Sequence, residues 1–437
     1  MNKKILLSGL CSTHWGRVEN GNIGNYYIVE TAVRELHRVF PNAQISTTFQ
    51  MTKDFCNKEN IFKILPLDLY YNWSSHDVER ALLDYAVASI YSKTGNLIIS
   101  TPWIQEIMKQ DLVIDFSGEM WGDHAEPVGT NRFLVNLLKM RSAQLMGKKT
   151  ILLAGSQGPF TDPKTLDLAR EVFGNYTLVS NREAMSKELL DRFKFNIDKV
   201  HNFACPAFLF EPLKREKIRK IIKRDQLFDV NENKVGFILC GFNMLIGPYN
   251  KTMRKDIEFV EFAKLVEHII NELKCKVILM SHQNGFEIID GNIILKNGID
   301  YHIIKQLYEV VEKRSHIDMT KLVLVEKPYN PWETKGIINE CDIFLSGRVH
   351  GLVASLSQNV PSVLINRGHG GASHRNIGFA KSAGIEDFIS DPSSAEHMIN
   401  TTTKCWEDRI NIREKLKSQM KITKKAAQQG FDILVNQ

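Results

Sequence analysis

The sequence predicts an α/β protein of two doubly wound, Rossmann-like domains facing a cleft, with a helical C-terminal tail. Three observations predict it. Short β-branched or Leu-rich runs recur along the chain, each ending in Gly, Ser or Asn and followed by an amphipathic stretch. These runs are too continuously apolar for a sheet with one wet face, so they suit parallel strands covered by helices on both sides. The 437 residues, 43% hydrophobic and 24% charged, suffice for two or three cores at roughly 150 residues per domain. That composition also excludes a disordered chain, a collagen-like repeat and a disulfide-stapled miniprotein.

The first strand is expected at residues 4–8. The start MNKKILLSGLC imitates an export signal, but its apolar stretch is short and Leu10 is bulky where a small residue precedes cleavage. Further strands are expected at 112–116, 150–154 and 177–180, then at 235–240, 276–280, 322–325, 343–346 and 362–365. Helices are expected at 26–39 behind Asn25, at 133–146 between Asn131 and Gly147, at 257–273, at 395–403 and over much of 406–434. A break falls at 211–234, where Glu211-Pro212 precedes a basic run and DVNEN is turn-like. The expected domains are therefore 1–212 and 234–400. The helical tail 401–437 is expected to pack back on the first. In such pairs the ligand lies beyond the carboxyl ends of the strands.

A net charge of +6 is too small for a dedicated nucleic-acid binder. The basic residues do cluster. Segment 214–224 (KREKIRKIIKR) carries seven against one acid, and the tail from 404 carries eight against four. These are either solvated helix faces or a peripheral contact with anionic lipid or a lipid-phosphate substrate. No run of ~18 apolar residues exists to span a membrane. Seven scattered cysteines, Cys11 to Cys405, fit reduced thiols. The expected location is cytoplasmic, peripheral at the inner membrane face where the basic runs meet lipid.

Four strand ends carry chemistry-bearing residues. In FLSGRVHG the strand stops at Ser346, Gly347 turns the chain, and Arg348 and His350 open a helix. A helix N-terminus, a guanidinium and an imidazole together suit phosphate or carboxylate; the alternative is a surface ion pair with a capping His. In AGSQGPF, Gly155, Ser156 and Gln157 end a strand in a shape that turns N–H groups toward a cleft. It lacks the ending of a Walker loop. In VSNRE, Arg182 is either a ligand contact or the partner of Glu183. In DFSGEMWGD, Glu119 and Asp123 are candidate general bases or loop caps, and Met120 and Trp121 are packing residues. In the second half His282 ends a strand, and His369, His374 and Arg375 follow the last one. The spacing of the two late histidines fits no metal set, so no metal is expected. The turn GNIGN at 21–25 does not match a dinucleotide fingerprint.

In order and spacing these segments resemble the polysaccharide pyruvyl transferase family over most of residues 1–390. The segments are GNIGN, DLVIDFSGEMWGD, ILLAGSQGPF, LVSNRE, Ala204-Cys205-Pro206-Ala207 and CDIFLSGRVHGLVASLSQNVPSVLI. The last is the most specific, an Arg-aliphatic-His turn followed by a helix and a Pro-started strand. The resemblance implies a GT-B-like fold, similar to two-domain nucleotide-sugar glycosyltransferases, with 1–212 on the acceptor side and 234–400 on the donor side. It also implies transfer of a pyruvyl unit from phosphoenolpyruvate to a sugar as a ketal, with no cofactor beyond that donor. The expected acceptor is a cell-surface glycan or its lipid-linked precursor. The resemblance assigns Arg348, His350 and Arg182 to the site, with His350 as the acid. Arg375 stands where the family often has a Lys contacting the donor, and Glu119 where a further Gly is usual. Two other readings stay open: a nucleotide-sugar glycosyltransferase with its base site near 235–243 and His282, and a non-catalytic carbohydrate-binding relative.

Overall fold

The computed structural model describes residues 2–9, 16–69, 74–123, 129–290, 292–296, 298–368 and 374–437. Cys11 and His369 lie outside the described residues. The chain divides into two compact units. The first comprises Met1–Arg17, Val29–Pro206 and Ala426–Gln437, and the second Val18–Ile28 and Ala207–Lys425.

The first unit holds seven strands: β1 (Lys4–Ser8), β2 (Gln44–Thr47), β3 (Ile61–Ile64), β4 (Leu112–Asp115), β5 (Lys149–Gly155), β6 (Leu178–Asn181) and β7 (Val200–Asn202). All pair in parallel, in the order β3-β2-β1-β4-β5-β6-β7. Strand order reverses between β1 and β4, the place where open α/β sheets leave a crevice. The central strands are buried, apart from Lys4 at the start of β1, as their apolar runs require. Beneath them Trp121 is fully buried, with ring contacts to Phe133, Phe160, Phe173 and Phe195. It is a core residue rather than a sugar platform.

The second unit repeats the design. Its strands are β8 (Lys234–Ile238), β9 (Lys276–Met280), β10 (Gly285–Ile289), β11 (Asn292–Lys296), β12 (Leu322–Leu324), β13 (Ile343–Ser346), β14 (Ser362–Ile365) and β15 (Ile389–Ser390). Six form a parallel sheet in the order β12-β9-β8-β13-β14-β15, which reverses between β8 and β13. Strands β10 and β11 stand apart as an antiparallel hairpin. Every expected strand is present within a residue or two. The unexpected ones are short or partly polar: β2, β3, β7, β15 and the hairpin.

No disulfide joins the six described cysteines to one another, and all but Cys56 are buried. Burial pushes the Cys240 thiol up to about 11 and those of Cys275, Cys341 and Cys405 up to about 12, so they pack as apolar groups.

Candidate functional site

In the second unit the chain turns at the strand-order reversal. Gly347 is required there, because a Cβ would lie 1.9 Å from Asn243 Oδ1. The Asn243 amide donates to the carbonyls of Ile365 (3.0 Å) and Asn366 (3.0 Å), while its Oδ1 accepts from the Cys240 N–H (3.0 Å). One buried side chain thus ties together the ends of β8 and β14 beside the β13 turn. Ser346 Oγ accepts from the Arg348 N–H (3.3 Å) and donates to the Arg348 carbonyl (2.7 Å), and the helix Val349–Leu356 starts behind Arg348.

Arg348 is not an open cation. Its Nε donates to both oxygens of Asp300 (2.9 and 3.2 Å), and a second guanidinium nitrogen reaches Oδ1. Asp300 is fully buried and also accepts from the N–H groups of His282 (3.1 Å) and Gln283 (2.8 Å). Four donors therefore hold one carboxylate, and the pair is net neutral. Its value to a ligand is hydrogen-bond direction more than charge. Asp300 escaped the sequence reading because it lies 48 positions before Arg348 and belongs to no motif.

His350 is half-buried at the second position of its helix. It packs against Gly24, where a Cβ would meet His350 Cβ at 2.6 Å and Nδ1 at 2.8 Å. The GNIGN turn belongs with the second unit for that reason and through its backbone. Ile23 N–H donates to the His282 carbonyl (3.1 Å), and Asn284 N–H to the Gly21 carbonyl (2.6 Å). His282 is buried, with Nε2 3.3 Å from the Tyr27 hydroxyl and its ring edge-on to Tyr27. Burial first, then positive charge on His350 and Arg348, pushes His282 down to about 3, so its imidazole is neutral. The structure therefore gathers Arg348, His350 and His282 in one unit. Arg375 is buried at the start of the helix His374–Ala383.

In the first unit Arg182 follows β6 directly and is buried. Its N–H donates to the Gly155 carbonyl (2.9 Å), and its guanidinium lies 3.8 Å from Glu119, whose carboxylate is half-exposed. Glu183 is not its partner: that buried carboxylate accepts from Ser156 Oγ (3.0 Å) and the Ser186 N–H (3.1 Å).

The loop at Gly155, Ser156 and Gln157 spends part of its hydrogen-bonding capacity inside the unit. The Ser156 N–H donates to the Gly118 carbonyl (3.3 Å), and that of Gly158 to Trp121 (2.9 Å). Gln157 is buried and donates to Asn181 (2.8 Å), over a Gly155 whose Cβ would lie 2.2 Å from its amide. These bonds brace the loop against its neighbour. Asp123 is likewise a pin: it is buried and accepts from Thr161 Oγ1 (3.0 Å) and the Asp162 N–H (2.6 Å). The sequence reading also passed over Asp115 at the end of β4. It is fully buried on the hydroxyl of Tyr176 (2.7 Å) and the amide of Asn136 (3.0 Å), and desolvation raises its pKa despite those donors.

Among the described residues no three His, Cys, Asp or Glu side chains converge as a metal site would require. With these strand-end turns in place, the comparison with known proteins is decisive. Residues 22–369 match the family model for polysaccharide pyruvyl transferase. The chain belongs to that family. A relative is the amylovoran biosynthesis protein AmsJ of Erwinia amylovora, 21% identical over 390 residues, or 86% of each chain. Solved structures share the fold at low identity. Anabaena Alr3699/HepE, in complex with UDP, gives a TM-score of 0.56 at 12% identity over 99% of this chain and 98% of its own. A putative UDP-N-acetylglucosamine 2-epimerase from Listeria monocytogenes gives 0.57 at 8% identity over 100% and 94%. S. aureus MnaA with UDP gives 0.55 at 11% over 96% and 90%. These establish the GT-B-like fold of two parallel-sheet domains, and the pyruvyl transferase family makes the chain a transferase.

Proposed function

We propose that this pyruvyl transferase moves the pyruvyl unit of phosphoenolpyruvate onto two hydroxyls of one sugar in a cell-surface polysaccharide or its lipid-linked precursor. The observation that carries this is the Arg348–His350 turn at the strand-order reversal, fixed by buried Asp300 and lying beside the neutral His282. The AmsJ likeness supports a polysaccharide acceptor.

Phosphoenolpyruvate carries a phosphate and a carboxylate on one vinyl carbon. Protonation of its methylene gives a methyl group and an oxocarbenium-like centre. Two sugar oxygens bond to that centre, the carbon–phosphate oxygen bond breaks, and the hydroxyl protons balance the one taken up and the phosphate released. The acid must be positioned, and His350, held against Gly24, is the proposed donor. Helix N–H groups and the Arg348 fork orient the donor's oxygens. Arg182 and Arg375 are, with Arg348, the proposed contacts of the donor's anionic groups. His282, neutral at working pH, is assigned hydrogen bonding rather than charge. Glu119 is the proposed acceptor-side base; Asp123 and the loop 155–157 drop to supporting parts. The reading places the protein in the cytoplasm, where the donor is made, and no described helix is long and apolar enough to cross a membrane.

Phosphate release from phosphoenolpyruvate with glycosyl acceptors tests the reading. The expected outcome is acceptor-dependent release that falls at least a hundredfold in His350→Ala, the low end of about 10²–10⁴ for a lost general acid. Undiminished release would sink it. Thermal shift separates the donor classes: phosphoenolpyruvate should raise the melting temperature, and a nucleoside diphosphate should not.

A further inference from the structure

The second unit carries a basic helix and an apolar hairpin that the proposed chemistry leaves unused. The helix Arg215–Arg224 buries Ile218, Ile221 and Ile222 and turns its cations outward. Arg215 and Arg219 pair with Glu340 (2.5 and 3.2 Å), and Arg224 with Asp225 (2.8 Å). Lys217, Lys220 and Lys223 are exposed and have no ion-pair partner among the described residues. Lys424 of the long helix Arg409–Asp432 reaches Glu211 (3.1 Å), just before the basic helix. That contact brings exposed Lys421 and Lys425 to the same part of the unit.

The hairpin departs from the loop that holds His282 and Asn284. Ile288 faces Ile293, and Glu287 faces Ile294. Ile288, Ile289 and Ile294 are 47%, 46% and 43% exposed. A lone two-stranded hairpin is marginal in water, and its open edges invite a partner. It also lies near the basic helix. Asp225 at the helix end accepts from Lys327 (2.7 Å) and the Tyr329 hydroxyl (2.8 Å), and both residues line one small cavity with Leu295 of β11.

We propose that the second unit docks peripherally on an anionic lipid surface, with Lys217, Lys220 and Lys223 on the headgroups and Ile289 and Ile294, which share one face of the hairpin, at the acyl boundary. The charge on one element and the exposed apolar arm on its neighbour are the two signals that stable peripheral binding takes. Loose cations favour headgroups over a protein partner, since a specific protein interface pairs its charges one by one.

Full-length protein is sedimented with vesicles of phosphatidylcholine alone or with added phosphatidylglycerol, at low and high salt. The wild type should pellet with the anionic vesicles only, and less at high salt. The triple variant Lys217→Glu, Lys220→Glu, Lys223→Glu should bind at least about a hundredfold more weakly, at roughly 1 kcal/mol per lysine. The pair Ile289→Ser, Ile294→Ser should bind at low salt but release sooner as salt rises. Equal unfolding midpoints show that the variants remain folded. No pelleting, equal pelleting with neutral vesicles, or full binding by the lysine variant overturns the proposal. If the isoleucine pair leaves binding intact and instead breaks a dimer, the hairpin belongs between copies and its place in the proposal falls. Turnover is not read, so this test and the pyruvyl-transfer reading fail independently.

Discussion

At the residue scale, Asp300 decides what Arg348 is. A buried carboxylate with four donors is stable only while its cation stays, because an unpaired buried charge costs far more than the pair returns. Asp300→Asn should therefore lower stability by about 3 kcal/mol, read from urea unfolding. Replacing both partners, Asp300→Leu with Arg348→Met, should recover only part of that loss, because the His282 and Gln283 N–H groups lose their acceptor, and it should abolish phosphate release. That split separates a positioning role from a merely structural one. His282 makes a second residue-scale prediction. Its folded pKa of about 3 lies below the ordinary 6.5, so between those values the unfolded chain binds a proton that the native state refuses. Stability is full above pH 6.5 and falls with pH through that window, by about 2 kcal/mol at pH 5. His282→Gln should remove this part of the slope between pH 7 and 5, measured as the difference in urea midpoints. An unchanged slope would mean that the native imidazole is solvated.

At the element scale, the apolar parallel strands were legible because their signal is local: a run of four or five buried residues followed by a turn. Weaker strands failed for a physical reason. Strand β3 is an edge strand with exposed Phe62 and Lys63, so nothing forces an apolar run. The hairpin did carry a signal, Asp290-Gly291-Asn292 between two apolar runs, which is turn chemistry. The helix Ser75–Thr94 carried one too, a Ser74–Asp77 capping box and a left-handed Gly95 at its end. Loop 117–123 and loop 155–162 form one braced element, and Asp123 is its pin. Asp123→Ala should lower stability by about 1–3 kcal/mol through stranded N–H groups. Turnover per folded molecule should stay within a few-fold of wild type in the phosphate assay. A loss as deep as that of His350→Ala would return Asp123 to catalysis.

At the scale of the whole molecule, the chain does not split at one point. Segment 18–28 counts with the second unit and 426–437 with the first. The last segment is integral to its core: Ala427, Phe431 and Leu434 are buried, and Gly430 lies against Phe203. Arg38 pairs with Asp432 (2.5 Å), and Lys3 donates to the Gln437 carbonyl (2.9 Å). Phe431→Ala should therefore destabilise by about 3–5 kcal/mol. The expected signature is a lower first transition in calorimetry, since two cores need not melt together. A surface tail would show no shift.

The sequence by itself determined the fold class, the run of strand-end turns and the family, because each is written in residues a few positions apart. It placed Arg348 and His350 at a helix start, since Gly347 and the apolar strand before it leave the backbone little choice. Only the tertiary structure decided that Arg348 is neutralised by Asp300, that His282 is held uncharged, and that Asp123 and Gln157 are hydrogen-bonded to neighbouring segments. Those outcomes depend on which groups burial forces together across tens of residues, and local pattern carries no information on that.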